Sequence, residues 1–437
     1  MFHTLKKRIK TFLEEGFIQN IAVLMSGTLI AQIITAASMP LLTRLFTPVA
    51  FGVLGMLSSV VNLITNASSL RYDMAIMIPE EDDDAANLLL LSFFIIIAIC
   101  LLTLVAVAIG RHHIAAWVDS PEFGHWLWWA PLMIFFGGIY QTLNFWCSRQ
   151  KEFKRLSISQ VFAAGGSAGA KTGAGFLGMG TGGLVGGQII GQAAATFVLA
   201  YQVFRDDTQQ LFRSLSRLRI KALAKKYADF PRYNAPMTLL NGLTNGMPVL
   251  LFGVFFGPAV AGYYSIAYLI LKIPVTLISG SLRKVYLQRA SEKAHNDESL
   301  FTDLWQVSSL LFAVGILPVI IAFFLAPWGF EFVLGDDWTE SGLYAQPLLI
   351  YLLFVLMSTP ATALIPVINI QREYLFFQIF MLIAAALGIA IGGFLDSPII
   401  GVIAYAASKS LLNFLIVLYV AHHTRRSTIS AHNFYQK

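Results

Sequence analysis

The chain has 437 residues, 57% of them hydrophobic and only 12% charged, with a mean hydropathy of +0.68 and a formal net charge of +6. Soluble domains carry about a quarter charged residues, so a water-soluble fold is excluded. Twelve crossings of about 20 apolar residues each would use about 240 residues, close to the whole apolar content, which leaves little for an extramembrane domain.

Apolar runs bounded by charges or turn residues predict helices over 18–42, 49–69, 85–110, 124–147, 156–177 and 182–204, and then over 232–256, 259–282, 303–326, 343–369, 374–394 and 398–421. The expected fold class is all-α integral membrane, with about twelve transmembrane helices. An N-terminal six-helix lobe over 1–204 and a C-terminal six-helix lobe over 232–424 are joined by a basic linker over 205–231, and a tail follows over 425–437. The basic stretch Lys6-Lys7-Arg8-Ile9-Lys10 precedes an apolar run longer than a signal-peptide core, so the first helix reads as a retained anchor.

Cytoplasmic loops retain lysine and arginine. With both termini inside, about 25 of the 30 Lys+Arg fall in cytoplasmic segments, and only Arg44 and Arg111 fall outside. Basic loops beside anionic headgroups account for the net charge without nucleic acid as a partner. Sliding the chain by about 210 residues brings Phe46-Thr47-Pro48 with Gly52 onto Phe256-Gly257-Pro258 with Gly262, each triplet ending the first helix of its half. A six-plus-six parallel repeat about an axis along the membrane normal is the expected arrangement.

Prolines fall inside predicted helices at 40, 131, 236, 248, 274, 318, 360 and 366, where each removes a backbone hydrogen bond and favours a bend. Glycines at 165, 169 and 173, and at 183, 187 and 191, recur every four residues and predict smooth faces for close packing between helices five and six. This glycine-rich region lacks the Gly-Lys-Ser/Thr ending of a phosphate loop. Cys100 and Cys147 have no metal-ligand spacing and read as free thiols. The run Glu80 to Asp84 precedes helix three, where acids meet the positive end of the helix dipole, and this reading is preferred to a divalent-metal cluster. No cofactor is called for.

Lys171, Lys272 and Lys409 interrupt the apolar runs of helices five, eight and twelve. Each costs about 2.5 to 3.5 kcal/mol near the bilayer centre. Lys272 and Lys409 lie roughly eleven or twelve residues from their predicted cytoplasmic ends, some 16 to 18 Å, against a stem reach of about 6 Å, so snorkelling does not relieve them. Helical side chains lean toward the N-terminus, which directs all three stems back into the membrane. Few acids lie at comparable depth, since Asp73, Asp303 and Asp396 are near helix ends. The three ammonium groups therefore predict a cationic cavity for an anionic group such as a diphosphate, with structural pairing or lipid contact as the alternative role. Asn62, Asn241 and Asn245 are candidates for sugar hydrogen bonds, or else for bonds between helices.

The stretch Gly27 to Gln32, then Pro40 to Pro48 with Phe51-Gly52, and the segment Ser69-Leu70-Arg71-Tyr72-Asp73-Met74-Ala75-Ile76 with Pro79, the acidic turn and Ala85-Ala86-Asn87 resemble Wzx-type oligosaccharide flippases. Gly262 to Tyr268 and Pro274 are more loosely similar to the eighth helix of that family. The resemblance implies the multidrug/oligosaccharidyl-lipid/polysaccharide exporter fold, a place in the bacterial inner membrane, and no enzymatic activity. It also implies transfer of undecaprenyl-diphosphate-linked oligosaccharide to the periplasmic leaflet, with membrane lipids, glycan polymerase and other assembly proteins as partners. Two rival readings stand beside it. A drug or cation exporter of the same superfamily would need an intramembrane carboxylate. A membrane enzyme of glycan assembly would need an external acid/base constellation, which His112, His113, Asp119, Asp336 and Asp337 do not form.

Overall fold

The computed structural model describes residues 15–213, 215–295, 300–368 and 370–434; the basic stretch Lys6–Lys10 lies outside them. Twelve helices of 18 residues or more occur among the described residues: α1 (Glu15–Leu45), α2 (Pro48–Thr65), α3 (Asp82–Trp117), α4 (Ala130–Arg149), α5 (Phe153–Phe176), α6 (Gly180–Arg213), α7 (Ala235–Phe256), α8 (Pro258–His295), α9 (Leu300–Leu334), α10 (Thr339–Leu364), α11 (Gln371–Phe394) and α12 (Pro398–Phe434). No strand is found among the described residues. Most helices run past their predicted ends, because a helix continues into polar residues that the apolar count leaves out. Thus α8 reaches His295 and α12 reaches Phe434.

Ten of the twelve are long and apolar enough to cross a bilayer on their own composition. The other two, α4 and α5, have 20 and 24 residues but carry Gln141, Thr142 and Asn144, and Ser157, Gln160, Ser167 and Lys171 respectively. Helices this polar are tolerated in lipid when neighbours cover them. Accordingly, α4 packs against α2, α3 and α6, and α5 lies between α1 and α6.

The chain divides into two compact units, residues 1–246 and 247–437, with the boundary inside α7 just before Pro248. In the first unit α3 pairs with α4, α4 with α6, α5 with α6 and α2 with α4. The same pairings recur in the second as α9 with α10, α10 with α12, α11 with α12 and α8 with α10. The matched triplets make the same break in both units by different means. Thr47 is extended and caps α2, its hydroxyl accepting from Ala50 N at 3.3 Å, with Pro48 in the first turn. Gly257 instead takes a φ of +85° before Pro258, a conformation open to glycine at no steric cost.

The prediction of smooth glycine faces holds for one helix of the pair. A Cβ on Gly191 would sit 2.5 Å from Ser167 Cβ and 2.8 Å from Ser167 N, and Gly183 and Gly187 are as closely covered. Gly165, Gly169 and Gly173 have nothing within 4 Å, because the face of α5 that meets α6 is the one carrying Ala163, Ser167 and Lys171. Three of the prolines expected inside helices are not interior. Pro131 opens α4, Pro236 follows a π turn over Phe230–Asn234, and Pro366 lies past the end of α10. Pro40, Pro248, Pro274, Pro318 and Pro360 are interior, as are Pro327 and Pro347.

The segment between α2 and α3 that carries the flippase-like motif folds back into the core of the first unit, where Tyr72, Ala75 and Ile76 are buried with Leu88, Leu143 and Trp146. Leu70 and Arg71 take positive φ, 50° and 65°, which turns the chain into a short helix over Tyr72–Ala75. Asp73, 1% exposed, accepts from Gln141 Nε2 at 2.6 Å, and the Tyr72 hydroxyl donates to Ala224 O at 2.8 Å. Much of 205–231 is also helical: α6 runs to Arg213, and a ten-residue helix, Arg217–Lys226, packs against α3. Arg219 there lies 3.3 Å from Asp83 and 3.9 Å from Asp84, and Arg149 reaches Asp82 at 2.9 Å. The acids at the start of α3 thus meet both the helix dipole and arginines. No group of three or more metal-ligating side chains occurs among the described residues, and both cysteines are free.

Candidate functional site

Lys171 lies 18 residues into α5, about 27 Å along its axis. Its stem crosses α6 at Gly187, where a side chain would collide with it, and its ammonium donates to Gln188 Oε1 at 2.7 Å. Elsewhere in the first unit Thr28 Oγ1 donates to Gln160 Oε1 at 2.8 Å between α1 and α5, and the Gln192 amide, one turn beyond Gln188, lies against Gly137 of α4. No carboxylate pairs with Lys171 among the described residues.

In the second unit Lys272 follows two tyrosines along its helix and Lys409 follows one. Tyr264, Tyr268 and Lys272 follow at four-residue spacing on α8, and Tyr405, Lys409 and Asn413 do the same on α12. Tyr264 stacks on Tyr268 with centroids 5.9 Å apart, and Tyr405 meets Tyr264 edge-on at 5.9 Å and Tyr351 of α10 at 5.8 Å. The Lys272 ammonium lies over the Tyr268 ring, 5.2 Å from its centroid. Lys409 is 4% exposed, 11 residues into α12. One turn on, Asn413 donates to Lys409 O and accepts from Ser358 Oγ, both at 2.8 Å. Neither lysine has an ion-pair partner among the described residues. The buried acid of this unit, Asp303, pairs with Arg289 and with Lys293 at 2.8 Å near the α8–α9 connection.

Asn62 on α2 and Asn241 and Asn245 on α7 are exposed. Within residues 1–246 the start of α7 packs on α2, where a Cβ on Gly242 would fall 2.9 Å from Leu63 and one on Gly246 3.2 Å from Ser59. The three asparagines therefore stand on neighbouring helices. Asn245 Nδ2 donates to Asn241 O at 2.8 Å, a local bond within α7. The tyrosine quartet and the glutamines are the groups that reading for charge missed. The four-residue spacing of Tyr264-Tyr268-Lys272 and Tyr405-Lys409-Asn413 was the available signal.

A profile described as polysaccharide biosynthesis protein matches residues 41–343, well over half of the chain. The chain belongs to the polysaccharide biosynthesis protein family. Solved structures agree on the fold. An inward-facing multidrug resistance MATE family transporter of the MOP superfamily is 14% identical with a TM-score of 0.73, over 92% of this chain and 96% of that one. The lipid II flippase MurJ, in an inward closed conformation, is 13% identical with a TM-score of 0.68, over 91% and 87%. A MATE structure in a bent conformation follows at 12% and 0.57, over 97% of each chain. No curated protein matches the chain. This member of the polysaccharide biosynthesis protein family is thus a multi-pass membrane protein with the fold of the MOP superfamily, and the neighbours named are transporters and a flippase rather than enzymes.

Proposed function

We propose that the chain flips an undecaprenyl-diphosphate-linked oligosaccharide from the cytoplasmic to the periplasmic leaflet of the bacterial inner membrane, by alternating access along a cationic path, for O-antigen-like surface polysaccharide. The observation that carries this reading is the set of three lysines, Lys171, Lys272 and Lys409, inside membrane helices with uncharged neighbours and no carboxylate partner among the described residues. Ammonium groups left unneutralised at this depth suit phosphate oxygens. An exporter of cations would want a carboxylate there, and the buried ones, Asp73 and Asp303, are held by Gln141 and by Arg289 with Lys293. The family supports a glycan as the cargo.

In this mechanism both termini lie in the cytoplasm, the six-helix lobes 1–204 and 232–424 alternate between leaflets, and 205–231 connects them. The lysines hold the diphosphate, Asn62, Asn241 and Asn245 bond the sugars, and the polyprenyl tail stays in lipid. Glycan polymerase and other assembly proteins take up the product.

Flipping of a lipid-diphosphate-linked oligosaccharide by purified protein in liposomes tests the reading. Wild-type activity, with loss in Lys272→Ala and Lys409→Ala and partial retention in the arginine variants, is expected. Flipping that survives every lysine substitution would remove the site. Absence of flipping across a range of glycans, with export of small molecules instead, would move the protein to the drug-exporter reading.

A further inference from the structure

One open groove of about 610 Å³ lies between the start of α5 and the last turns of the apolar part of α6, wholly within the first unit. Its volume is in the range of ligand clefts, about 300 to 1,000 Å³. The two ends of the groove differ in chemistry. Lys154, Arg155 and Arg205 are at one end, where the apolar span of α6 stops at Asp206. Phe197, Val198 and Ile158 line the other, with Phe197 eight residues deeper than Arg205, about 12 Å along the helix. A soluble anion would use only the first end. Phe197, 65% exposed on a membrane-spanning helix, meets Phe136 edge-on at 5.6 Å and leaves the rest of its ring open, and Tyr201, 66% exposed, has the Arg205 guanidinium over its ring at 5.9 Å.

Two carboxylates share the charged end. Arg155 lies 3.6 Å from Glu152 and 3.4 Å from Asp206, and Arg205 lies 2.8 Å from Asp206. Lys154 is exposed and has no ion pair among the described residues, which leaves one positive charge over. Gln202 lines the same groove, and its side-chain carbonyl is buried without a hydrogen-bond partner. A buried acceptor left unmade is costly and calls for a donor.

We propose that this groove holds one anionic glycerophospholipid whose headgroup carries hydroxyls, of the phosphatidylglycerol type. The phosphate rests against Lys154, which has no ion pair among the described residues, with the Arg205 guanidinium beside it over the Tyr201 ring; a headgroup hydroxyl donates to Gln202, and an acyl chain runs over Phe197. Basic pockets between helices at a membrane surface recognise acidic headgroups in this way. The hydroxyl requirement separates the occupant from phosphatidylcholine, which has neither the net charge nor the donor.

The test is native mass spectrometry of the full-length protein in detergent, titrated with phosphatidylglycerol, phosphatidic acid or phosphatidylcholine of the same acyl chains. Phosphatidylglycerol should bind about tenfold or more tightly than phosphatidylcholine, and Lys154→Gln with Arg205→Gln should weaken it about tenfold while leaving phosphatidylcholine unchanged. Gln202→Leu should erase the preference for phosphatidylglycerol over phosphatidic acid. Both cations are exposed, and a thermal melt equal to wild type confirms that the double variant is folded. Equal binding of the phospholipids, or phosphatidylglycerol binding unchanged by the double variant, overturns the proposal. Displacement by equimolar inorganic phosphate would make the groove a free-anion site, and preferential displacement by a polyprenyl phosphate would make it a loading site; either outcome also overturns it. None of these readouts depends on flipping.

Discussion

Replacing Lys409 with methionine separates a lysine held for transport from a lysine held for stability. The side chain lies about 17 Å into α12, 4% exposed, with no carboxylate beside it among the described residues. A lysine at such depth costs about 2.5 to 3.5 kcal/mol relative to an apolar residue. Methionine keeps the length and flexibility of the stem without the charge. Asn413 bonds the Lys409 backbone carbonyl, so that link survives the substitution. Lys409→Met should therefore leave stability unchanged or raise it by up to about 2 kcal/mol. At about 2 to 4 °C per kcal/mol for a unit of this size, a melt in detergent resolves the difference. Breaking a buried ion pair would do the opposite and cost about 3 to 5 kcal/mol. Liposome flipping, measured on the same preparation, should fall at least tenfold. A melt lowered by several degrees would refute the claim that the ammonium is unpaired, and a raised melt with full flipping would refute its part in transport.

Arg149→Ala should destabilise the first unit by about 2 to 4 kcal/mol in a denaturant melt, since Arg149 holds Asp82 and donates to the carbonyls of Ile76, Pro79 and Glu80 at 2.6 to 3.2 Å. Arg219→Ala, which removes a half-exposed partner of the same acids, should cost under about 1 kcal/mol in the same assay. Gln188→Leu leaves the Lys171 ammonium without its acceptor and should lower stability by about 1 to 3 kcal/mol, whereas the double variant with Lys171→Met should recover most of that loss. Gly191→Val should prevent folding or lower the melt sharply, because its Cβ meets the Ser167 backbone at 2.8 Å, whereas Gly169→Ala, facing open space, should be neutral or stabilising by about 0.5 to 1 kcal/mol.

Membrane hydrophobicity made the order of the helices legible, because a long apolar run leaves the chain no other stable state in lipid. The same rule hid three things. It gave α4 and α5 the same standing as the others, although their Gln141, Asn144, Gln160 and Lys171 depend on cover from α1, α2, α3 and α6. It ended α8 and α12 where hydropathy ended, although helical hydrogen bonding continues into their polar tails. It also treated 205–231 as a connection, since the Arg217–Lys226 helix is polar and its pairing with the acids at Glu81, Asp83 and Asp84 spans over a hundred residues of sequence. The lysines stood out as charges in apolar runs, whereas the tyrosines around them read as ordinary membrane aromatics until three helices brought them together. Glycine periodicity identified the α5–α6 contact but not which helix supplies the smooth face, because that depends on how far each helix is rotated.

The neighbours of the lysines bear on how such charges are kept useful. A carboxylate beside Lys171 or Lys272 would hold the ammonium firmly and also cancel its field, so that a substrate phosphate would have to displace an ion pair in a medium of low dielectric. A glutamine carbonyl at Lys171 and a tyrosine ring at Lys272 orient the ammonium and recover part of its lost hydration, but they leave the full charge in place. The two units reach this condition with different residues on different helices. The shared feature is therefore the neutrality of the partner, and introducing a carboxylate beside either lysine, as in Gln188→Glu, should suppress transport while raising thermal stability. If Gln188→Glu instead flipped substrate at the wild-type rate, the unneutralised charge on Lys171 would have no part in the mechanism.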